Sequence, residues 1–328
     1  MSNMLAEAID LLKHLPERYL EKALEALREV KSAHDNEEKG TPPPCPACTG
    51  DTSVRNGHKH GKHAYLCRGC GKSFVETSHT TLFNSHSGES VWKQVIRDTI
   101  SGVPIDDTAS NLLLHHETVF NMRHKILFAI EQEEMAHPTQ LSGVCEADET
   151  YVLESYKGKQ LPDGFWRKPR KHGAVAAKRG LSNEYVCVCT GVEREGNAVA
   201  LAVNRATAGP DDIDRVFGDR VSQSTLILSD GAKGYRVLDG KCAVHGVEKD
   251  DGGFYHINTV NCYHSFIKER NRKARGFATK YLNRYNSLFS TVFRKTEVMT
   301  DHIYDLLCEM NDRYCTNIKS QTQNLLEI

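Results

Sequence analysis

The sequence lacks any run of apolar residues long enough to span a membrane, and its first residues do not have the pattern of a signal peptide. It also lacks the clustered cysteines of a disulfide framework, because four of its 11 cysteines form paired motifs and the others are scattered. These absences predict a protein of the reducing cytoplasm with no membrane partner. The 328 residues, 39% hydrophobic and 26% charged, are ordinary for globular protein and sufficient for two or more domains.

Net charge is nearly absent as well, at −1, which taken alone argues against a nucleic-acid partner. The charge is unevenly distributed, however. Between Lys268 and Lys295 there are nine lysines and arginines and one acid, Glu269. A basic segment of this kind attracts a phosphate backbone, so DNA is a candidate partner.

The beginning of the chain predicts two small elements. Residues 1–36 have a helical pattern, typical either of a docking or oligomerisation element or of a packing arm without a partner. After a proline-rich linker, residues 42–84 contain two CxxC pairs separated by the segment Thr49–Leu66. Thiolates at this spacing predict a structural Zn²⁺ site in a zinc ribbon, whereas a redox dithiol would need only one pair. The predicted zinc ligands are Cys45, Cys48, Cys67 and Cys70. The ribbon's basic residues suit phosphate contact, although a zinc ribbon can also be purely architectural.

Residues 88–135 have the pattern of three amphipathic helices arranged as a helix-turn-helix DNA-binding domain. The first helix is expected to stop near Gly102. The third has an apolar inner stripe, and its polar outer face is predicted to enter a major groove. That outer face holds His116, Asn121, Arg123, His124 and Lys125. Arg123 and Lys125 are the predicted DNA contacts; the alternative is an ordinary three-helix core.

The pattern then changes to strands alternating with helices, in the order β-β-β-α-β-α-β-α. This order is that of a ribonuclease H-like α/β domain, predicted over residues 141–290 and followed by a C-terminal helix over 291–328 for packing or dimerisation. The predicted fold class is therefore multidomain α+β, with a zinc ribbon and a helix-turn-helix preceding a ribonuclease H-like catalytic domain.

Two aspartates lie on strands of that predicted sheet. Asp148 lies within the apolar first strand, where an unpaired charge is costly, and Asp230 ends the fourth strand. The last helix carries Asn261, His264 and Lys268 on one face. Two divalent ions held by such oxygens can activate an attacking oxygen and stabilise the leaving one. The simpler interpretation makes Asp230 a turn former and the helix residues a solvated face.

Five segments together resemble the insertion-sequence transposases of the ISXO type, a zinc-ribbon-bearing branch of the DDE superfamily. They are Cys145-Glu-Ala-Asp-Glu-Thr-Tyr, Ser229-Asp-Gly, His256-Ile-Asn-Thr-Val-Asn, His264-Ser-Phe-Ile-Lys and Gly276-Phe-Ala-Thr-Lys-Tyr-Leu. The resemblance implies a metal-dependent DNA transposase that binds terminal inverted repeats, cuts the 3′ ends of its element and joins them to target DNA.

The resemblance also assigns roles to single residues. Asp148 and Asp230 match the first two catalytic positions, which hold two Mg²⁺ or Mn²⁺ ions. Asn261 stands at the third, where most of the superfamily has glutamate. Because an amide oxygen is a neutral ligand and holds its ion more weakly, His264 and Glu269 are alternative helpers. Lys268 is expected to neutralise phosphate charge beside the scissile bond.

Further basic residues are predicted to contact DNA phosphates. In the aromatic insert 157–171 they are Arg167, Lys168, Arg170 and Lys171, and in the later basic segment they are Arg272, Lys273 and Arg275. The protein is expected to act as a homo-oligomer on DNA at the nucleoid. Two alternatives remain: a transposase-derived DNA-binding protein with a vestigial active site, and a ribonuclease H-like nuclease or resolvase that hydrolyses without joining.

Overall fold

The computed structural model describes residues 41–59, 62–83, 85–158, 163, 165, 175–247, 253–274, 276–293 and 299–309. The chain divides into two compact units, Met1–Ser78 and His79–Ile328. The predicted helical element 1–36 lies outside the described residues, as does the end of the predicted C-terminal helix.

The first unit contains a small antiparallel sheet. Its strands are β1 (Ser53–Lys59), β2 (Lys62–Cys67) and β3 (Ser73–Val75), and they pair in the order β1-β2-β3. A cluster of four side chains forms its core: Cys45, Tyr65, Cys67 and Phe74. Two of the four side chains in this cluster, which includes only described residues, are cysteines.

The second unit begins with three helices, as the pattern predicts. They are α1 (Glu89–Ser101), α2 (Ile105–Leu112) and α3 (His116–Ala136). Trp92, Val95 and Ile96 of α1 are buried against α3, which accounts for the apolar spacing of these helices in the sequence.

A five-stranded mixed sheet follows. Its strands are β4 (Gly143–Leu153), β5 (Tyr185–Glu193), β6 (Ala198–Arg205), β7 (Thr225–Ser229) and β8 (Ala243–Gly246). They lie in the order β6-β5-β4-β7-β8. The β4–β5 and β5–β6 pairs are antiparallel, whereas β4–β7 and β7–β8 are parallel. The parallel half places the ends of β4 and β7 at one edge.

Helices cover both faces of this sheet. One face carries α4 (Pro210–Phe217) and a 3-10 turn at Lys233–Leu238. The other carries α5 (Asn258–Lys273) and α6 (Leu282–Val292). The core on this side continues into α1 and α3, on which α7 (Thr300–Glu309) packs. The element order expected from the sequence is therefore confirmed across this region, with the first helix after β7 formed as a 3-10 turn.

The join between the three-helix segment and the sheet is partly polar. Arg284 of α6 is 1% exposed, and its Nε donates to Oε2 of Glu131 of α3 over 3.1 Å. Its guanidinium also lies over the ring of Phe128. A buried pair of this kind fixes how two helices meet, because either charge alone would be costly there.

Gly102 ends α1 as expected, with φ of 77° in the left-handed region. Beside this turn, Nη1 of Arg270 in α5 donates to the carbonyl of Ile100 over 2.8 Å. The end of α1 is therefore tied to the last turns of α5. Among the described residues, none of the helices is both long and apolar enough to cross a membrane.

Candidate functional site

The four paired cysteines converge in the first unit. Sγ of Cys45 lies 3.7 Å from Sγ of Cys70, and Sγ of Cys48 lies 3.6 Å from Sγ of Cys67. All four sulfurs lie within 4.8 Å of one another. A tetrahedral zinc ion with sulfurs at about 2.3 Å sets those sulfurs about 3.8 Å apart. The cluster could therefore hold a metal ion of this kind.

The two predicted aspartates lie at the end of the parallel strand pair β4–β7. The register of that pair ends with Glu146 opposite Leu228, and Asp148 and Asp230 each follow two residues later. β7 ends at Ser229, whereas β4 continues to Leu153. The last part of β4 is therefore not paired with β7. Neighbouring strands are roughly 4.8 Å apart, which is the spacing of the two backbones just before the aspartates.

The carboxyl groups at this place influence one another. Burial raises the pKa of Asp148, the N–H of Glu149 that donates to its Oδ1 over 2.8 Å lowers it, and the charge of Asp230 raises it again. Burial also raises the pKa of Glu149, whose Oε1 accepts the hydroxyl of Tyr235 over 2.9 Å. We call Asp148, Glu149 and Asp230 the acidic edge.

Helix α5, which carries the predicted third group, Asn261, packs on the strand that carries Asp148. It packs on β4 and β5 through Val260, Tyr263 and Ile267, which are at most 1% exposed. Asn261 and Lys268 lie on its exposed side, and Lys268 lowers the pKa of Asp148. Glu269, the other helper weighed from the sequence, is instead paired with Lys273 over 2.8 Å.

His264 is the buried member of the helix stripe. Its Nδ1 lies 3.9 Å from Oδ2 of Asp148, which is beyond hydrogen-bonding distance. Its Nε2 lies 2.6 Å from Oγ1 of Thr190, and that hydroxyl donates to the carbonyl of Asp148, also over 2.6 Å. Since Thr190 has one proton to give, Nε2 of His264 carries the proton and Nδ1 presents its lone pair to the acidic edge.

The charge state of His264 agrees with that assignment. Burial lowers its pKa to about 4, and the neighbouring Lys268 contributes to the shift. The imidazole is therefore neutral at physiological pH. A neutral nitrogen 3.9 Å from a carboxylate oxygen of Asp148 can accept a hydrogen bond from water or take part in binding a cation.

Glu146 has a place that the sequence pattern did not reveal. It shares a strand face with Asp148, as alternation predicts, yet it is fully buried. Its Oε2 accepts the backbone N–H groups of Thr259 and Val260 over 2.6 and 3.1 Å, and its Oε1 accepts Nε of Arg194 over 2.8 Å. The spacing of its neighbours could not show this, because all three partners come from distant parts of the chain.

The predicted outer face of α3 requires a correction. Arg123 and His124 are 8% and 2% exposed, so they do not lie on an outer face. Arg123 donates from Nη2 to the carbonyl of Val103, and Lys125 donates from Nζ to the carbonyl of Thr81. The physical reason is that α3 packs against α6 and α7 as well as α1 and α2, which buries its middle turns and leaves its two ends exposed.

The other predicted DNA contacts divide between exposed residues and residues outside the described part. Arg272 and Lys273 are exposed at the end of α5, where they line an open cleft of about 510 Å³ together with Ser101–Pro104. Four predicted contacts in the aromatic insert and one after α5 lie outside the described residues: Arg167, Lys168, Arg170, Lys171 and Arg275.

Comparison with known families covers the sheet and the helices around it. Residues 140–301 match the family described as the ISXO2-like transposase domain. The chain is also 24% identical over 261 residues to an uncharacterized protein in transposable element ISH50 of Halobacterium salinarum, which covers 76% of this chain and 86% of that protein.

Two solved structures show a weak likeness to this chain. A pre-cleavage Mos1 transpososome is 10% identical, covering 64% of this chain and 75% of that chain with a TM-score of 0.24. A Mos1 strand transfer complex is 13% identical, covering 62% and 69% with a TM-score of 0.27. TM-scores this low do not bear on the fold.

Proposed function

Residues 140–301 of this chain belong to the ISXO2-like transposase family, and on that premise we propose that the protein cuts and joins the DNA ends of its own insertion sequence at the acidic edge. The observation that supports this best is the convergence of Asp148 and Asp230 at the end of one parallel strand pair, beside α5. The sheet order and its helices suit a ribonuclease H-like domain, which would place these groups at a catalytic edge.

The donor set fits a hard divalent cation. Asp148 and Asp230 offer carboxylate oxygens, and Asn261 offers an amide oxygen on the exposed side of α5. In our proposal Asp148, Asp230 and Asn261 would together hold two Mg²⁺ or Mn²⁺ ions or their bound water. Bound there, such ions would supply activation of the attacking oxygen and stabilisation of the leaving oxygen.

The chain's own residues would contribute binding and proton handling. Lys268 already lowers the pKa of Asp148, so its positive charge reaches the acidic edge and would neutralise a phosphate lying there. The unprotonated Nδ1 of His264 would accept a hydrogen bond from a water at the edge. Glu149, held by Tyr235, would remain outside the ligand set while adding negative potential.

The proposed reaction has two phosphoryl transfers. In the first, water attacks the phosphodiester at the element end, and the bond to the 3′ oxygen breaks to leave a free 3′-hydroxyl. In the second, that hydroxyl attacks a phosphodiester of target DNA and displaces a 3′ oxygen there. The 3′ oxygen that leaves in the first transfer is the nucleophile of the second, so one set of groups would serve both transfers.

DNA would be held through surfaces on both units. The first unit, with zinc bound by its four cysteines, and the exposed pair Arg272 and Lys273 would contact phosphates. We expect two copies of the protein to bind the two ends of one element as a homo-oligomer. These contacts are electrostatic, so the affinity for DNA should fall steeply with salt.

The test is a cleavage and joining assay on duplex DNA carrying the inverted repeats that flank the coding region, with Mg²⁺ or Mn²⁺ added. Asp148→Asn and Asp230→Asn keep side-chain size and should each lower the rate by roughly a hundredfold or more. Asp239→Asn, an exposed aspartate nine positions after Asp230, is the matched control and should retain activity. Full activity in either edge variant would refute the assignment.

The same assay distinguishes the two alternatives. A DNA-binding protein with a vestigial site would retain the repeats on a filter or gel but yield no metal-dependent cut. A nuclease or resolvase would release a 3′-hydroxyl end without any product joined to target DNA. Joined product that requires both aspartates is the result the proposal expects.

A further inference from the structure

We infer that Glu146 is a positioning residue, whose buried carboxylate holds the first turn of α5 and thereby sets where Asn261 stands relative to Asp148. The inference rests on the function proposed above, in which Asn261 is a ligand. Glu146 itself is fully buried and would touch neither DNA nor metal. It acts through the helix.

The first turn of α5 is not capped by its own N-cap residue. That residue is Ile257, whose side chain cannot accept a hydrogen bond. The N–H groups of a helix's first turn need acceptors, and a negative charge there is favoured by the helix dipole. Oε2 of Glu146 supplies both for Thr259 and Val260, over 2.6 and 3.1 Å. A strand residue 113 positions earlier therefore replaces the missing cap.

The same carboxylate is tied to the segment that leads into α5. Nε of Arg194 donates to Oε1 of Glu146 over 2.8 Å. Nη2 of Arg194 donates in turn to the carbonyls of Phe254 and His256, over 2.7 and 3.2 Å. One ion pair thus joins β4, the end of β5 and the segment before the helix. Removing the carboxylate would release the two backbone N–H groups of α5 and leave Arg194 without its ion-pair partner.

The rest of α5 is anchored independently. Tyr263 is fully buried, and its hydroxyl is 2.8 Å from that of Ser290 in α6, while Ile267 is 1% exposed. His264 is held by Thr190. Loss of Glu146 should therefore loosen the turn that carries Asn261 and leave His264 and Lys268 in place. That separation is what distinguishes a positioning role from a general contribution to stability.

The location of Glu146 connects it with the reacting groups. It lies two residues before Asp148 on the same face of β4. The strand that presents the first ligand therefore also fixes the helix that presents the third. Asn261 is an exposed amide, and its neutral oxygen binds a cation more weakly than a carboxylate does. Cation binding should therefore depend strongly on where this side chain is held.

The first measurement needs neither metal nor DNA. Amide hydrogen exchange is followed in the full-length protein carrying Glu146→Gln, over peptides that cover residues 256–262 and, separately, 263–270. Exchange in the first segment should accelerate by about tenfold or more, because a neutral amide with one acceptor oxygen replaces a carboxylate that accepts on both. Exchange in the second segment should change by less than about twofold.

The matched control is Glu154→Gln. Glu154 is 2% exposed and directly follows the same strand, and the partners described for its carboxylate, Arg205 and Tyr156, lie outside α5. This variant should leave exchange over 256–262 unchanged. If both variants accelerate it equally, the effect is general loosening and the inference is overturned. If Glu146→Gln does not fold, Glu146→Asp, which keeps the charge but shortens its reach, replaces it under the same criteria.

The second measurement is the Mg²⁺ concentration that gives half-maximal cleavage of element-end DNA. Glu146→Gln should raise it about tenfold or more while the dissociation constant for DNA changes less than about twofold, because Lys268 stays in place. Glu154→Gln should change neither. An unchanged Mg²⁺ requirement in Glu146→Gln would overturn the inference. If wild-type protein does not cleave, the proposed function fails, and the exchange measurement still decides whether Glu146 holds the turn.

Discussion

The protein is expected to lose stability between pH 7 and pH 5, and replacing His124 with phenylalanine should make that loss about 2 kcal/mol smaller. His124 is 2% exposed and lies among aromatic rings, 4.3 Å from the ring of Phe120 and 4.2 Å from that of Tyr281. Burial lowers its pKa to about 3, and the cations of Arg284, Arg123 and Lys280 add to the shift. A phenylalanine of similar shape would fill the same space without a titrating group.

The magnitude follows from proton linkage. A histidine in the unfolded chain has a pKa near 6.5, so at pH 5 nearly all unfolded molecules bind a proton there. The folded protein does not bind it, because its pKa of about 3 lies well below that pH. The folded pKa is depressed, so the stabilising contribution is complete above pH 6.5 and is lost as the pH falls towards 3. Between pH 7 and pH 5 the calculated loss is about 2 kcal/mol.

The assay is urea denaturation followed by circular dichroism at both pH values, for wild type, His124→Phe and the control His137→Phe. His137 follows the same helix, but its side chain is 76% exposed, so its replacement should leave the pH dependence unchanged. His264, with its pKa lowered to about 4, stays in both variants and keeps its own share of the acid sensitivity. Equal losses in wild type and His124→Phe would refute the reasoning.

Three further outcomes are expected. Arg284→Met should cost about 3–5 kcal/mol in urea denaturation by leaving Glu131 buried without its partner, and adding Glu131→Leu should restore most of it. Cys67→Ser should lower the zinc content of purified protein from one ion per chain to less than half, by atomic absorption, whereas retained zinc would contradict a four-sulfur site. Arg272→Ala with Lys273→Ala should weaken DNA binding and reduce the slope of log affinity against log salt by about 1–2; an unchanged slope would exclude these phosphate contacts.

The sheet and its helices could be predicted from local pattern. Residues 144–152 alternate as a strand does, and the observed β4 extends one residue beyond that range at each end. Turn residues mark the β5–β6 hairpin, and an aspartate followed by glycine marks the end of β7. Such patterns succeed because side-chain burial on one sheet face is fixed by residues that are close in the chain.

The error on α3 shows where local pattern fails. Arg123 and His124 are polar and lie beside the apolar stripe of the helix, a pattern that is typical of an exposed face. They are buried because Tyr281, Arg284 and Tyr285, which belong to α6 and the turn before it, pack on them from a much later part of the chain. A single sequence shows one packing face of a helix but does not show that a second partner covers the other.

The residues of the candidate site could be proposed from the sequence, but the hydrogen bonds that hold them in place could not. Charge and turn position select Asp148 and Asp230, and helical spacing selects Asn261, His264 and Lys268. The contacts of Thr190 with His264 and of Glu146 with the start of α5 join segments 74 and 113 residues apart. Only the register of β4 against β5 and the placement of α5 on the sheet create them.

Position 102 is restricted twice over. Its φ of 77° suits glycine, and a Cβ built there would lie 2.8 Å from Nη1 of Arg270. A larger residue would therefore have to distort the turn after α1 or displace the guanidinium that donates a hydrogen bond to the carbonyl of Ile100. Alanine at this one place would therefore strain the end of α1 and press on the contact that joins it to α5.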